Sequence, residues 1–279
     1  MTHPMPEPMP APIPEADGYT PRIVAKVEDG VGWMIVSNPR RRNALTLNMW
    51  RQIPGAMAML GADPSVRVVA IRGEGDASFV SGADITEFGR LRSTPEQVAA
   101  YDHAGRAAGE AIAGCPLPTV AVIRTWCVGG GLGTALGCDL RIADAEARFA
   151  IPAARLGLGY RYPGVKTLVD LVGPSHAAEI FYTARHYVAE EALRIGLINR
   201  VLPVEGFEAA AADYLASIAG NAPLTMQAAK MAIRGATAAG EPANIEAIDA
   251  AIQACFDSED YAEGRAAFKE KRAPRFRGR

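Results

Sequence analysis

Two runs rich in β-branched residues, Arg22–Val27 and Val31–Ser37, flank Glu28-Asp29-Gly30. A short connection containing Asp-Gly between such runs predicts a β-hairpin. The chain from Thr46 to about Leu60 predicts a helix with Thr46 as its N-cap, kinked or interrupted at Pro54. Val66–Arg72 is a short apolar run ending at Gly73 and suits a buried strand. A helix over Pro95–Ala113 follows, capped by Ser93 or Thr94. Thr119–Ile123 and Asp139–Ala143 read as two further buried strands, with the glycine-rich stretch Val128–Gly137 between them. Strands alternating with helices predict an α/β core with parallel pairing. Beyond about Pro203 the pattern changes to Ala-rich segments with apolar residues at helical spacing. Helices are predicted at Gly206–Gly220, Pro223–Ala239 and Ala243–Glu263, with no strands between. The expected division is a Pro-rich tail over 1–20, a core over 21–203 and a helical region over 204–279. The apolar faces of that last region suit a subunit partner.

Composition narrows the class. The 279 residues are 49% hydrophobic, enough for a sizeable core. A formal net charge of −2 gives no sign of a nucleic-acid surface. Cys115, Cys127, Cys138 and Cys255 have no CxxC spacing and read as reduced, mostly buried thiols of a cytoplasmic protein. His3, His103, His176 and His186 form no HxxxH or HExxH array, so no metal is expected. No apolar run is long enough to span a bilayer. The first 18 residues have no basic n-region or apolar h-region and read as a mobile tail.

Two segments combine tight turns with a helix start: Phe79-Val80-Ser81-Gly82-Ala83-Asp84-Ile85 and Gly129-Gly130-Gly131-Leu132-Gly133. Glycines let backbone approach a ligand closely. A helix start leaves unpaired N–H groups with positive dipole character. Two such turns facing each other suit one oxyanion held by two backbone amides. The second segment is not a Walker A loop, since no Gly-Lys-Ser/Thr follows, and it lacks the Rossmann fingerprint.

Read in order, Asn43-Ala44-Leu45, Gly82-Ala83-Asp84, the triple glycine, Cys138-Asp139, Phe149-Ala150-Ile151-Pro152 and the terminal Glu270-Lys271-Arg272-Ala273-Pro274-Arg275-Phe276 form a series. From about Ile23 to Gly278 this series resembles the crotonase (enoyl-CoA hydratase/isomerase) superfamily. The resemblance implies a spiral of ββα turns and a helical region that builds homotrimers, often paired into hexamers. It implies an acyl-CoA thioester as substrate, with coenzyme A part of that substrate rather than a cofactor, and lyase or isomerase chemistry of the fatty-acid type. The thioester oxygen would sit between the amides of Ala83 and Gly130. The CoA-binding turn falls on Arg42, Asn43 and Ala44, adjoining Ser81 and Gly129. Adenine contacts fall on Asp84 and Ile85, and Lys271 matches a residue that reaches CoA phosphate, often from a neighbouring subunit.

Hydratases of that family carry one glutamate two residues after the triple glycine and another directly after the Phe-x-x-Pro segment. Here those positions are Gly133 and Ala153, the latter after Pro152. Hydration needs one group to activate water and one to protonate the α-carbon, and neither residue does either. Arg124-Thr125 also replaces an Asn-Gly pair. Beside the second lost glutamate, Tyr160, Arg161 and Tyr162 suggest an acyl group with its own negative charge, or phenol-assisted proton transfer; aromatic packing with a surface arginine is the alternative. Asp84 reads equally as a helix cap, and Glu87 and His103 are further candidates for moving a proton. The readings left open are an enolate-stabilising acyl-CoA enzyme, a decarboxylase or hydrolase of the same superfamily, and a non-catalytic acyl-CoA-binding trimer.

Overall fold

The computed structural model describes residues 9–15, 18–237 and 243–279. Strands β1 (Arg22–Glu28) and β2 (Val31–Ser37) form the expected antiparallel hairpin. Asp29 and Gly30 both take positive φ, 49° and 77°, as a two-residue turn matched to strand twist requires. Helix α1 (Leu47–Ala62) starts at Thr46, whose hydroxyl accepts from Met49 N at 3.2 Å. The expected interruption at Pro54 does not occur: α1 is one element across it. Burial of Ile53, Ala56, Met57 and Leu60 along one face holds the helix where local propensity alone would break it.

The chain then coils. Strand β3 (Val68–Gly73) leads through α2 (Phe88–Leu91) to α3 (Pro95–Gly114), which carries a capping box between Thr94 and Gln97. After it come β4 (Thr119–Ile123), β5 (Trp126–Val128) and α4 (Gly130–Leu136). The next coil gives β6 (Leu140–Asp144), β7 (Arg148–Ala150) and α5 (Ala153–Leu156). Helix α6 (Tyr162–Thr183), bent where Gly173 turns to φ 78° ahead of Pro174, leads to β8 (Tyr187–Val188), α7 (Ala189–Arg194) and β9 (Arg200–Leu202). One six-stranded sheet has the order β1-β2-β3-β4-β6-β9, parallel from β2 onward. A smaller sheet has the order β5-β7-β8. Each of the β4–β5 and β6–β7 pairs therefore gives one strand to each sheet before its helix, the ββα spiral the motifs imply.

Strand periodicity assigns the two faces of the large sheet. Val69 and Ile71 of β3 enter the main core with Met34, Leu45, Ile53 and Phe149. Val68 and Ala70 point the other way, with Val120, Val122 and Ile142, against Phe207, Ala211 and Leu215. Those three belong to α8 (Phe207–Ala219), the first of the C-terminal helices. Helix α9 (Pro223–Thr237) is tied to the core by Lys230, which is buried and donates to Leu117 O at 2.6 Å while pairing with Asp139 at 2.6 Å. The predicted helix over Ala243–Glu263 is two elements, α10 (Ile245–Phe256) and α11 (Glu259–Glu270). The break is chemical: Ser258 takes an extended conformation and its hydroxyl accepts from Tyr261 N at 3.1 Å, starting a new helix. Ala238 and Ala239 lie outside the described residues.

Of the expected mobile tail, positions 1–8 and 16–17 lie outside the described residues. Residues 9–15 run along α1: Asn48 Nδ2 donates to Ala11 O at 3.1 Å, and a methyl group added at Gly55 would come within 2.7 Å of Met9 Cα. Among the described residues no helix is long and apolar enough to cross a membrane, and no three His, Cys, Asp or Glu side chains cluster as metal ligands. Cys115, Cys127 and Cys138 are buried free thiols, and burial pushes the last up to about 12.

Candidate active site

The two glycine-bearing turns occupy equivalent places in successive coils. Val80 bridges Cys127 in parallel fashion, with Val80 N donating to Trp126 O and Val128 N to Val80 O, both at 3.0 Å. Three residues further along each coil stand Ala83 and Gly130. A methyl group added to Gly130 would lie 3.4 Å from Ala83 N. On its other side Ala83 bridges Leu45: Leu45 N donates to Gly82 O and Asp84 N to Leu45 O, both at 2.8 Å. Backbone groups alternate along an extended segment, so the Ala83 N–H is directed away from Leu45, towards the coil that carries Gly130. Gly130 is the first residue of α4, where no intrahelical acceptor exists. Among the described residues neither amide has a hydrogen-bond acceptor.

Glycine is required here for stated reasons. Gly82 has φ 120° and Gly129 φ 53°, which side chains at those positions would resist. A Cβ at Gly131 would press into the Val80 carbonyl, and one at Gly130 would meet the Trp50 ring at 3.0 Å. The third coil joins the same place. Gly129 N donates to Ala150 O at 2.8 Å, and a Cβ at Gly129 would stand 3.9 Å from Pro152 Cδ. Ala153 follows, buried at the start of α5.

The preceding turn wraps the first. Arg42 and Asn43 both have positive φ, 51° and 58°, and Ser81 N donates to Arg42 O at 3.1 Å. Asn43 is fully engaged inside the protein, its amide donating to Ser78 O at 2.8 Å and Glu74 O at 3.0 Å. Asp84 is a helix cap, accepting from Thr86 N at 3.0 Å, and pairs with Arg41 at 3.3 Å. Ile85 beside it is exposed. Glu87 accepts from Leu47 N at 2.8 Å, so it ties this turn to the start of α1; burial pushes its carboxyl above the usual range, partly offset by that N–H.

A family model described as enoyl-CoA hydratase/isomerase matches residues 26–279. The chain belongs to the enoyl-CoA hydratase/isomerase family. It is 31% identical over 261 residues to a crotonyl-CoA hydratase of Syntrophomonas wolfei, covering 91% of this chain and 97% of that one. It is 32% identical over 241 residues to the mitochondrial methylglutaconyl-CoA hydratase of Mus musculus, covering 85% and 76%. Among solved structures, an enoyl-CoA hydratase/carnithine racemase from Magnetospirillum magneticum superposes with a TM-score of 0.86 at 35% identity, over 92% of this chain and 96% of that one.

Neither Gly133 nor Ala153 carries an ionisable group. Gly133 is exposed, with nothing within 4 Å of an added Cβ, and Ala153 is buried. Near Ala153 the Tyr160 ring packs edge-on against Phe181 at 5.1 Å, and burial pushes its phenol up to about 12. Arg161 is mostly exposed and pairs with Asp102 of α3 at 2.8 Å; Tyr162 is exposed. His103 is exposed beside Arg106. Lys271 ends α11 with φ 53° and an exposed side chain, and nothing among the described residues joins it to the glycine turns.

Sequence reading missed three residues that stand around the site. Trp50 of α1 lies against Gly130, and Tyr101 of α3 reaches Leu45 O at 3.5 Å. Arg92, in the loop between α2 and α3, sits over the Tyr101 and Phe88 rings at 4.7 and 4.9 Å and bonds Asp102 at 3.1 Å. No motif marks them; each is placed by tertiary packing.

Proposed function

We propose that this chain acts on an acyl-CoA thioester, whose carbonyl oxygen is held by the N–H groups of Ala83 and Gly130. One observation carries the reading: two backbone amides from successive coils stand side by side without an acceptor among the described residues. Such a pair is worth most when the oxygen gains negative charge, as it does in an enolate. The turns bearing Arg42, Asn43 and Ala44, with Ile85 exposed beside them, form the entry for the CoA arm.

With Gly133 and Ala153 in place of carboxylates, ordinary hydration lacks its acid and base. Loss of CO₂ from a β-carboxyacyl thioester needs no base: the C–C bond pair moves into the thioester enolate as CO₂ departs. The proton that completes the α-carbon comes from solvent or from the Tyr160 phenol, which stays protonated at neutral pH. The exposed Ile233, Ile245, Phe256 and Phe268 on α9 to α11 and beyond the cover of the core support assembly as a homotrimer or a dimer of trimers.

The test is to incubate the protein with crotonyl-CoA, a 3-hydroxyacyl-CoA and malonyl-type thioesters and follow products by mass spectrometry. We expect CO₂ loss from a malonyl-type thioester and no fast hydration. Ala83→Pro removes one oxyanion donor and should lower turnover by about 10²–10³. Rapid crotonyl-CoA hydration that Ala83→Pro abolishes would refute the carboxylate argument. Tight binding of every thioester without turnover would make the protein a carrier of acyl-CoA rather than an enzyme.

A further inference from the structure

Arg92 has a place in the site that no family motif assigns. Its side chain is 14% exposed, yet the only carboxylate paired with it among the described residues is Asp102. That carboxylate is shared. Asp102 Oδ1 accepts from Arg92 Nη2 at 3.1 Å, while Oδ2 takes Nε and Nη2 of Arg161, both at 2.8 Å. Two guanidinium groups against one carboxylate leave a surplus positive charge, and the less solvated of the two is Arg92. Its Nε and Nη1 have no hydrogen-bond partner among the described residues. The faces of Phe88 and Tyr101 offset part of the cost of holding the cation there, but they accept no hydrogen bond. A mostly buried guanidinium with unbonded donors and surplus charge suits an incoming anion, and carboxylate is the planar partner it matches best.

Its position decides which anion. Tyr101, under Arg92, touches the Leu45 carbonyl, and Leu45 is bridged to Ala83. Trp50, in the same core, lies against Gly130. Arg92 therefore stands one aromatic ring away from the strand that presents the Ala83 amide. The Arg92 charge also acts on the Tyr160 phenol, opposing in part the burial that pushes it up. An acyl chain whose carbonyl is held at Ala83 and Gly130 would run past these rings towards Arg92. We propose that Arg92 is the receptor for a carboxylate carried on the acyl group, making the substrate a dicarboxylic acyl thioester. Asp102 and Arg161 are positioning residues: they fix the guanidinium and keep Arg161 itself turned to solvent. The inference rests on the acyl-CoA reading above and adds the class of acyl group.

The experiment is calorimetric titration of the full chain with unreactive thioether analogues of butyryl-, malonyl-, succinyl- and glutaryl-CoA, for wild type, Arg92→Gln and Arg92→Lys. Wild type should bind at least one dicarboxylic analogue about ten-fold or more tighter than the butyryl analogue. Arg92→Gln should erase that preference while leaving butyryl affinity within about two-fold, which also shows that the variant is folded. Arg92→Lys should recover part of it, because the charge is kept and the fork is lost. The favoured chain length tells whether the recognised carboxylate is the one that leaves or one that stays. Butyryl binding equal to or tighter than every dicarboxylic analogue in wild type would overturn the proposal, as would Arg92→Gln weakening both classes alike. Failure of all four analogues to bind would instead overturn the acyl-CoA reading itself.

Discussion

Glycines 131 and 133 lie on the same short helix, two residues apart, and the same substitution at each should have opposite effects. At Gly133 an added methyl meets nothing within 4 Å. Alanine there gains helix propensity, about 0.5–1 kcal/mol. At Gly131 the methyl would be pressed against the Val80 carbonyl, 2.8 Å from its carbon and from the Val80 Cβ. That carbonyl cannot swing aside cheaply, because it accepts from Val128 N at 3.0 Å in the bridge that stacks one coil on the next. Overpacking of this kind costs about 1–3 kcal/mol, and the obstruction is backbone, so the upper end applies. Set against a propensity gain of about 1 kcal/mol, Gly131→Ala should lose about 2 kcal/mol. For a chain of this length each kcal/mol moves Tm by about 2–4 °C. Thermal melts at fixed protein concentration, with urea titration alongside, should show Gly131→Ala about 4–8 °C lower and Gly133→Ala unchanged or slightly higher. Because the strain falls between the two coils, Gly131→Ala should also reduce turnover by displacing the Gly130 amide. A Gly131→Ala protein as stable as wild type, or a Gly133→Ala protein less stable than it, would refute the stacking geometry.

Two further outcomes are expected. Glu87 has its proton held more tightly folded than unfolded, mainly through burial, so its contribution to stability is full below the ordinary value of 4.5 and is lost as pH rises through the raised one. Glu87→Gln keeps an acceptor for Leu47 N but cannot ionise, so urea stability followed from about pH 4 to pH 7 should improve relative to wild type as pH rises; a constant difference would show the carboxyl titrates normally. Placing glutamates at both Gly133 and Ala153 should create measurable hydration of crotonyl-CoA, read as the loss of its enoyl absorbance, by restoring groups worth about 10²–10⁴ each. The open space at Gly133 makes that half structurally neutral, whereas buried Ala153 makes the other half costly, and no gain of hydration in a folded double variant would mean other parts of the site are also altered.

The architecture was legible where local chemistry and burial agree. The Asp29-Gly30 turn, the Thr46 and Thr94 caps and the apolar strand runs each carry their own signal, and each formed as expected. Pro54 does not end α1, because a propensity rule met a helix face buried along its length. Ser258 misled in the other direction: a single hydroxyl divided what apolar spacing presented as one helix. Strands β7, β8 and β9 are two or three residues long and carry no periodicity to read. In the site, Ala83 and Gly130 were singled out by the resemblance to the family, while the stacking of one coil on the next, which sets their turns side by side, has no sequence signal. Arg92 and Asp102 are ordinary charged residues in sequence; only the folding of a loop over Phe88 and Tyr101 brings them together.

The amide of Asn43 is a single point on which the turn before the site depends. It is 1% exposed, donating to two carbonyl oxygens through Nδ2 and accepting from Asn38 N through Oδ1 at 3.0 Å. Deamidation would exchange that donor for an anionic oxygen aimed at the Ser78 and Glu74 carbonyls, with no water to soften the repulsion. One hydrolysed side chain would thus pry open the left-handed turn at 42–43 and, through the Ser81–Arg42 bond, loosen the loop that presents Ala83. A single buried carboxamide ties the 42–43 turn to the segments at Asn38, Glu74 and Ser78.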